Sequence, residues 1–142
     1  MDESDEPDEL ERIRAAKREQ LRERAEQDTR QASSASAPIS IDSPAHLQEV
    51  LETHSVVLTD FYADWCGPCQ MLAPTLETIA AQTPATVAKI DTEALPALAQ
   101  QYGVRGLPTL VLFVDAEPAE QLVGMQQEAR LRSVIDRHVG QS

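Results

Sequence analysis

Val56-Val57-Leu58-Thr59-Asp60-Phe61-Tyr62 reads as a strand of the buried type, almost wholly apolar but for one acid, Asp60. Such a run belongs inside a sheet covered by helices on both faces, because a half-exposed strand alternates polar with apolar residues. It leads directly to Cys66-Gly67-Pro68-Cys69, which opens a helix through Leu72, Leu76, Ile79 and Ala80. These are the only two cysteines of the chain. Two thiols three positions apart on a first helical turn share one face. Their Cα separation there falls within the range that a disulfide tolerates. A pair that opens and closes with little backbone movement is a poor staple and a good redox couple. Pro68 suits that turn, where a missing N–H costs no hydrogen bond. Pro74, further along, predicts a kink.

The rest of residues 38–142 alternates in the same way. Ile39–Ile41 is a short apolar strand. Ser43 caps a helix with Pro44 at its first position, carrying His46, Leu47, Val50 and Leu51. Thr86–Asp91 is a strand, and Leu95–Tyr102 a helix ended by Gly103. Leu110–Val114 is a strand with Gln121–Val123 as a short partner, and Val134, Ile135 and Val139 line the inner face of a last helix. This order predicts an α/β sandwich: a central mixed sheet flanked by helices. With 142 residues the chain holds about one domain.

Residues 1–37 differ. Glu, Arg, Ala and Gln dominate, and Leu10, Ile13, Ala16, Leu21 and Ala25 form only a thin apolar stripe. Ser33-Ser34-Ala35-Ser36-Ala37-Pro38 reads as a linker. The segment is therefore expected to be a charged N-terminal extension, partly helical or disordered. It is either a solvated arm or a docking arm for a partner or a second copy.

The formal charge of −12 makes nucleic-acid phosphates and anionic membranes poor partners. An acidic start without a basic n-region, and the lack of any membrane-length apolar run, point to the cytoplasm. A lone Cys-x-x-Cys there is more often catalytic or metal-binding than a permanent crosslink. Zinc needs about four ligands. His46, His54 and His138 lie on other expected helices, so no metal is expected.

At the N-terminus of a helix the free N–H groups and the dipole favour thiolate over thiol at Cys66. Cys66 is expected to be the outer, attacking sulfur and Cys69 the deeper, resolving one. The end of a central strand is also where open α/β sheets place their chemistry.

Asp60-Phe61-Tyr62-Ala63-Asp64-Trp65-Cys66-Gly67-Pro68-Cys69 resembles the active-site segment of the thioredoxin family. The resemblance extends to Pro74, Val87-Ala88-Lys89, Tyr102-Gly103-Val104-Arg105-Gly106-Leu107-Pro108-Thr109 and Gly124, covering about residues 38–142. It implies the thioredoxin fold and a protein-disulfide reductase that exchanges dithiol for disulfide without a bound cofactor. Asp60 then resembles the buried carboxylate that takes the proton of the resolving thiol, and Lys89 its basic neighbour. Pro108 resembles a cis-proline facing the disulfide, with the backbone around Leu107 pairing with substrate. Trp65, Gly67 and Pro68 complete the implied substrate-binding surface, with Trp65 as a flat apolar cover. Gly106 and Gly124 are expected to allow close backbone approach.

The implied partners are disulfide-containing client proteins and a thioredoxin reductase, NADPH- or ferredoxin-linked, acting on a monomer. The rival readings are a disulfide oxidase or isomerase, and an interaction protein that uses the fold and arm as a binding surface. The Gly-Pro between the cysteines lacks the histidine that would favour oxidation. For thioredoxin-type sites in general, a thiol at ~7 rather than ~8.5 gains about sixteenfold in thiolate at neutral pH. It loses roughly fivefold in nucleophilicity, so the net gain is only about threefold. Intramolecular closure by Cys69 must supply the larger advantage.

Two departures from the family stand out. Val114-Asp115-Ala116-Glu117-Pro118 lacks the usual hairpin glycine, and Tyr62 replaces a frequent tryptophan, leaving Trp65 as the sole indole. Lysine occurs only at Lys17 and Lys89, and the other ten bases are arginine. An acid-rich, lysine-poor chain suits a salt-rich cytosol that screens self-repulsion, or reflects no more than a GC-biased genome. On the first of these readings the melting temperature rises from low to molar KCl; a flat response in a thermal melt overturns it.

Overall fold

The apolar run at residues 56–62 forms the middle strand of the sheet. In the computed structural model, which describes residues 2–33 and 36–139 with side chains at 9–24 and 36–139, it is β2 (Val56–Tyr62). It pairs in parallel with β3 (Thr86–Asp91) and antiparallel with β4 (Thr109–Val114). Outside β3 lies the parallel β1 (Ile39–Ser40), and outside β4 the antiparallel β5 (Glu117–Val123), giving the order β1-β3-β2-β4-β5. A central strand covered on both faces has no solvent side to keep polar, which accounts for its composition.

Alternation along β2 divides the core in two. Val56 and Leu58 face α3 (Gly67–Gln82) and α5 (Glu128–Val139), packing with Leu72, Leu76, Ile79, Leu131, Val134 and Ile135. Val57 and Phe61 face α2 (Pro44–Thr53) and α4 (Pro96–Gln101), packing with Leu47, Val50, Leu51 and Leu98. Burying each of these larger side chains contributes about 1.5–3 kcal/mol. The expected α/β sandwich with a mixed sheet is thus present.

Local signals carry through as well. The Ser43 hydroxyl accepts the His46 N–H at 3.1 Å with Pro44 at the first helical position. Gly103 ends α4 with φ +67°, a left-handed cap that favours glycine. α3 continues through Pro74, whose missing N–H deprives the Gln70 carbonyl of its intrahelical donor. The carboxyl end of α5 is tied to β5 through His138 Nε2 and Glu120 Oε2, 2.7 Å apart.

Two features depart from expectation. β5 begins at Glu117, four residues before the expected Gln121. Its first half is polar because an edge strand exposed to solvent needs no apolar signature. The glycine-free hairpin turns through Asp115 at φ 51° and Ala116 at φ 68°, so two ordinary residues take the left-handed conformation. Aspartate tolerates that region, but alanine has no side-chain hydrogen bond to compensate.

The N-terminal extension forms α1 (Asp2–Ser33), and Met1–Ala32 is a unit separate from Ser33–Ser142. The expected linker falls partly on residues 34–35, and the Ala25 side chain of the stripe also lies outside the described residues. Among the described residues no helix is long and apolar enough to cross a membrane.

Replacing Ala116 by glycine removes the left-handed penalty and loses only a half-buried methyl group. We expect Ala116→Gly to raise stability by about 0.5–1 kcal/mol, a gain of a few degrees in thermal unfolding. A lower melting temperature would show that the methyl contact outweighs the backbone.

Candidate active site

β2 ends at Tyr62, and the chain turns through residues 63–66 into α3. The turn closes with the Cys66 N–H donating to the Ala63 carbonyl at 3.1 Å. Cys66 caps α3, its Sγ accepting the Cys69 N–H at 3.2 Å, so a free helix donor points at the first sulfur. That arrangement stabilises negative charge on Cys66 whenever the bridge is open. The two cysteines are joined as a disulfide with Cα atoms 5.3 Å apart.

Cys66 and Cys69 are equally covered, each 4% exposed, so the expected contrast between an outer and a deeper sulfur is absent with the bridge closed. Both cysteines pack with Ala63, with Tyr62 and Leu107 against them. What separates them is environment. Cys69 lines a cleft of about 370 Å³ with Tyr62, Ala63, Asp64, Gln70, Ala73 and Lys89. Cys66 holds the helix cap.

Asp60 shares the α3 face of β2 with Leu58 by alternation and is 1% exposed. Neither of its carboxylate oxygens has a hydrogen-bond partner. Burial pushes its pKa up to about 6, against the opposing pull of the Lys89 ammonium. Lys89 is its register partner on β3 and holds its ammonium 4.6 Å from the Tyr62 ring centroid. The Tyr62 phenol is itself raised, first by burial and then by the charges of Asp91, Asp64 and Asp60. Lys89 is thus the positive member of an otherwise acidic neighbourhood, held by a π-face as well as by charge.

On the other side of the disulfide the Leu107–Pro108 peptide is cis. Pro108 is buried, with its carbonyl accepting the Gly124 N–H at 2.8 Å, while half-buried Leu107 packs against the cysteines. Gly124 adopts φ +86°, which explains glycine there, and a Cβ would meet nothing within 4 Å. At Gly106 neither a positive φ nor crowding is present, so the expected close approach is not what requires glycine there.

Gly67 and Pro68 stand exposed on the first turn of α3. Trp65 is 70% exposed, and its indole N–H donates to Glu93 Oε1 at 2.5 Å. It therefore stands up from the surface beside Cys66, and it is no part of the core. Glu93 was not foreseen. It lies in the loop after β3, where Asp91 Oδ1 accepts its N–H at 2.9 Å, and nothing in its sequence context marks it. Gln70 was also missed; its amide donates to the Asp64 carbonyl at 2.7 Å and pins the turn before the cysteines. Among the described residues no cluster of three or more His, Cys, Asp or Glu could hold a metal ion.

A cysteine pair at a helix N-terminus, with an unpartnered carboxylate on the preceding strand, is equipped to give two electrons to a disulfide when open and to take two from a dithiol when closed. The thioredoxin family model matches residues 38–137. Thioredoxin 1 of Synechococcus elongatus is 43% identical over 94 residues, spanning 65% of this chain and 88% of its own. Thioredoxin of Chlamydia muridarum is 46% identical over 84 residues, spanning 58% and 82%. In three dimensions, a mutant thioredoxin from Halobacterium salinarum superposes with a TM-score of 0.73 at 52% identity. That match covers 74% of this chain and 93% of that one.

The raised Asp60 pKa has a stability consequence. The folded form holds its proton up to about pH 6 and the unfolded form releases it near 4, so this residue's stabilisation is present below 4 and lost as pH rises through 6. Asp60→Asn removes that loss. Chemical denaturation should find the variant more stable at pH 8 by on the order of 3 kcal/mol and little changed at pH 4. Equal stability at pH 8 would place the native carboxylate in a more solvated setting.

Proposed function

The chain belongs to the thioredoxin family, and we propose that within it this protein works as the reductant of client disulfides. Thioredoxin-type dithiol/disulfide exchange and protein-disulfide oxidoreductase activity come with family membership. The direction of exchange and the role of each residue are the proposal. The observation that carries it is the helix-capping Cys66 bridged to Cys69, with the unpartnered Asp60 carboxylate in the strand behind.

In the reduced protein, the Cys66 thiolate attacks one sulfur of the client bridge. A mixed disulfide forms, and the first client sulfur leaves as thiolate. Asp60, as carboxylate, accepts the Cys69 proton. Cys69 then attacks the Cys66 sulfur, which closes the ring and expels the second client thiolate. Two electrons have moved to the client, and two protons complete its thiols. An acid with a pKa near 6 suits a proton acceptor at neutral pH far better than an ordinary aspartic acid. Lys89 keeps that value from rising further. Trp65, Gly67, Pro68, Leu107 and Pro108 make the surface on which an extended client segment lies, with the backbone at Leu107 as its hydrogen-bonding partner.

A reductase partner must return two electrons per cycle, and we place it among the NADPH- or ferredoxin-linked enzymes. The working compartment is the cytoplasm.

Cys66→Ser should abolish insulin-disulfide reduction, whereas Cys69→Ser should leave a stable mixed disulfide detectable by mass spectrometry. Activity retained in both variants would end the dithiol mechanism. Equilibration with glutathione tests the direction: a pair oxidised more readily than glutathione is a reductant, and the reverse result makes the protein an oxidase or isomerase.

A further inference from the structure

Charge along α1 is divided into blocks. Residues 2–11 carry seven acids and no base, while residues 12–24 carry six bases and two acids. Blocks of this kind weaken an isolated helix, because Arg14–Arg18, Arg18–Arg22 and Glu19–Glu23 place like charges four residues apart. A helix of 32 residues, about 48 Å long, therefore gains little from its own surface pairs. Its larger apolar side chains are uncovered: Leu10 is 53% exposed, Ile13 53% and Leu21 64%.

We propose that α1 is an interface for a second copy of this chain, paired antiparallel about a two-fold axis between residues 11 and 12. In this register opposing residue numbers sum to 23, as an isologous contact requires. The acidic block 2–11 of each helix then lies along the basic stretch 12–21 of the other. Leu10 meets Ile13 of the second copy and Ile13 meets its Leu10. Lys17 lies opposite Glu6, a pair that occurs twice by symmetry. Glu6, Leu10, Ile13 and Lys17 recur at spacings of four, three and four, so the apolar contacts and these opposite charges fall on one seam. A parallel pairing in register would set acid against acid and base against base, so charge selects the orientation. The same charges make the association weaken as salt rises, while the apolar pair remains.

Each catalytic domain carries a whole disulfide site, so the pairing joins two reductants without completing either. The expectation of a monomer goes with the reading of residues 1–37 as a solvated arm; pairing through α1 is the other reading, a docking arm for a second copy.

Sedimentation velocity on the full chain under reducing conditions, from roughly 10 to 500 µM, spans the affinities expected of a small interface. Wild type should show concentration-dependent dimer that weakens from low to molar KCl. E6K and K17E each place like charges opposite one another and should weaken self-association at least about tenfold. The two substitutions combined in one chain, or an equimolar mixture of the two single variants, should restore it. Circular dichroism on each variant checks that the helix is retained. A chain that remains monomeric throughout the range overturns the proposal. So does dimer that persists after deletion of residues 1–37, or a combined variant that fails to recover while still helical.

Discussion

A carboxyl group sealed inside an apolar strand with no hydrogen bond is the most expensive group in this fold, and much of the site is arranged around it. Asp60 stays where it is because β2 is held from both sides, by β3 in parallel and β4 antiparallel, and a slip of one residue would exchange the side chains of its two buried faces and undo both core clusters. The same register sets Lys89 beside it and delivers Tyr62 and the cysteine turn to the end of the strand. Stability is given up at the one point where an acid of unusual pKa is useful, and two packed core clusters supply the surplus that tolerates it.

The proposed division of labour between the two sulfurs draws on the same frame. With the bridge closed, exposure does not distinguish them. The helix cap and the cleft do: one sulfur receives the α3 donor, and the other borders Lys89 and the strand that carries Asp60. An asymmetry of surroundings, more than of depth, can thus assign attack to Cys66 and release to Cys69.

Much of this was legible in the chain because it rests on local rules. The buried strand at Val56–Tyr62, the Ser43 cap with Pro44, the strand at Thr86–Asp91 and the Cys-Gly-Pro-Cys helix start each have short-range signatures, and their alternation dictates the layered fold. The resemblance to a known family supplied the expected roles of Asp60 and Pro108, which periodicity alone would not. What escaped had no local signature. The first half of β5 is polar because it is an edge, and the Asp115–Ala116 turn does without the glycine that would have announced it. Glu93 and Gln70 matter only through partners that the fold brings to them, across 28 and 6 residues respectively. Gly106 looked like a spatial necessity, and the open space around it says otherwise.

Trp65 is the only indole in the chain, stands clear of the core and adjoins a sulfur that gains and loses its bond in every turnover. No second chromophore of its kind dilutes the signal, and disulfides quench neighbouring indoles. Any difference in indole emission between the open and the closed bridge therefore arises at this one ring, next in sequence to Cys66, and is read without attaching a label.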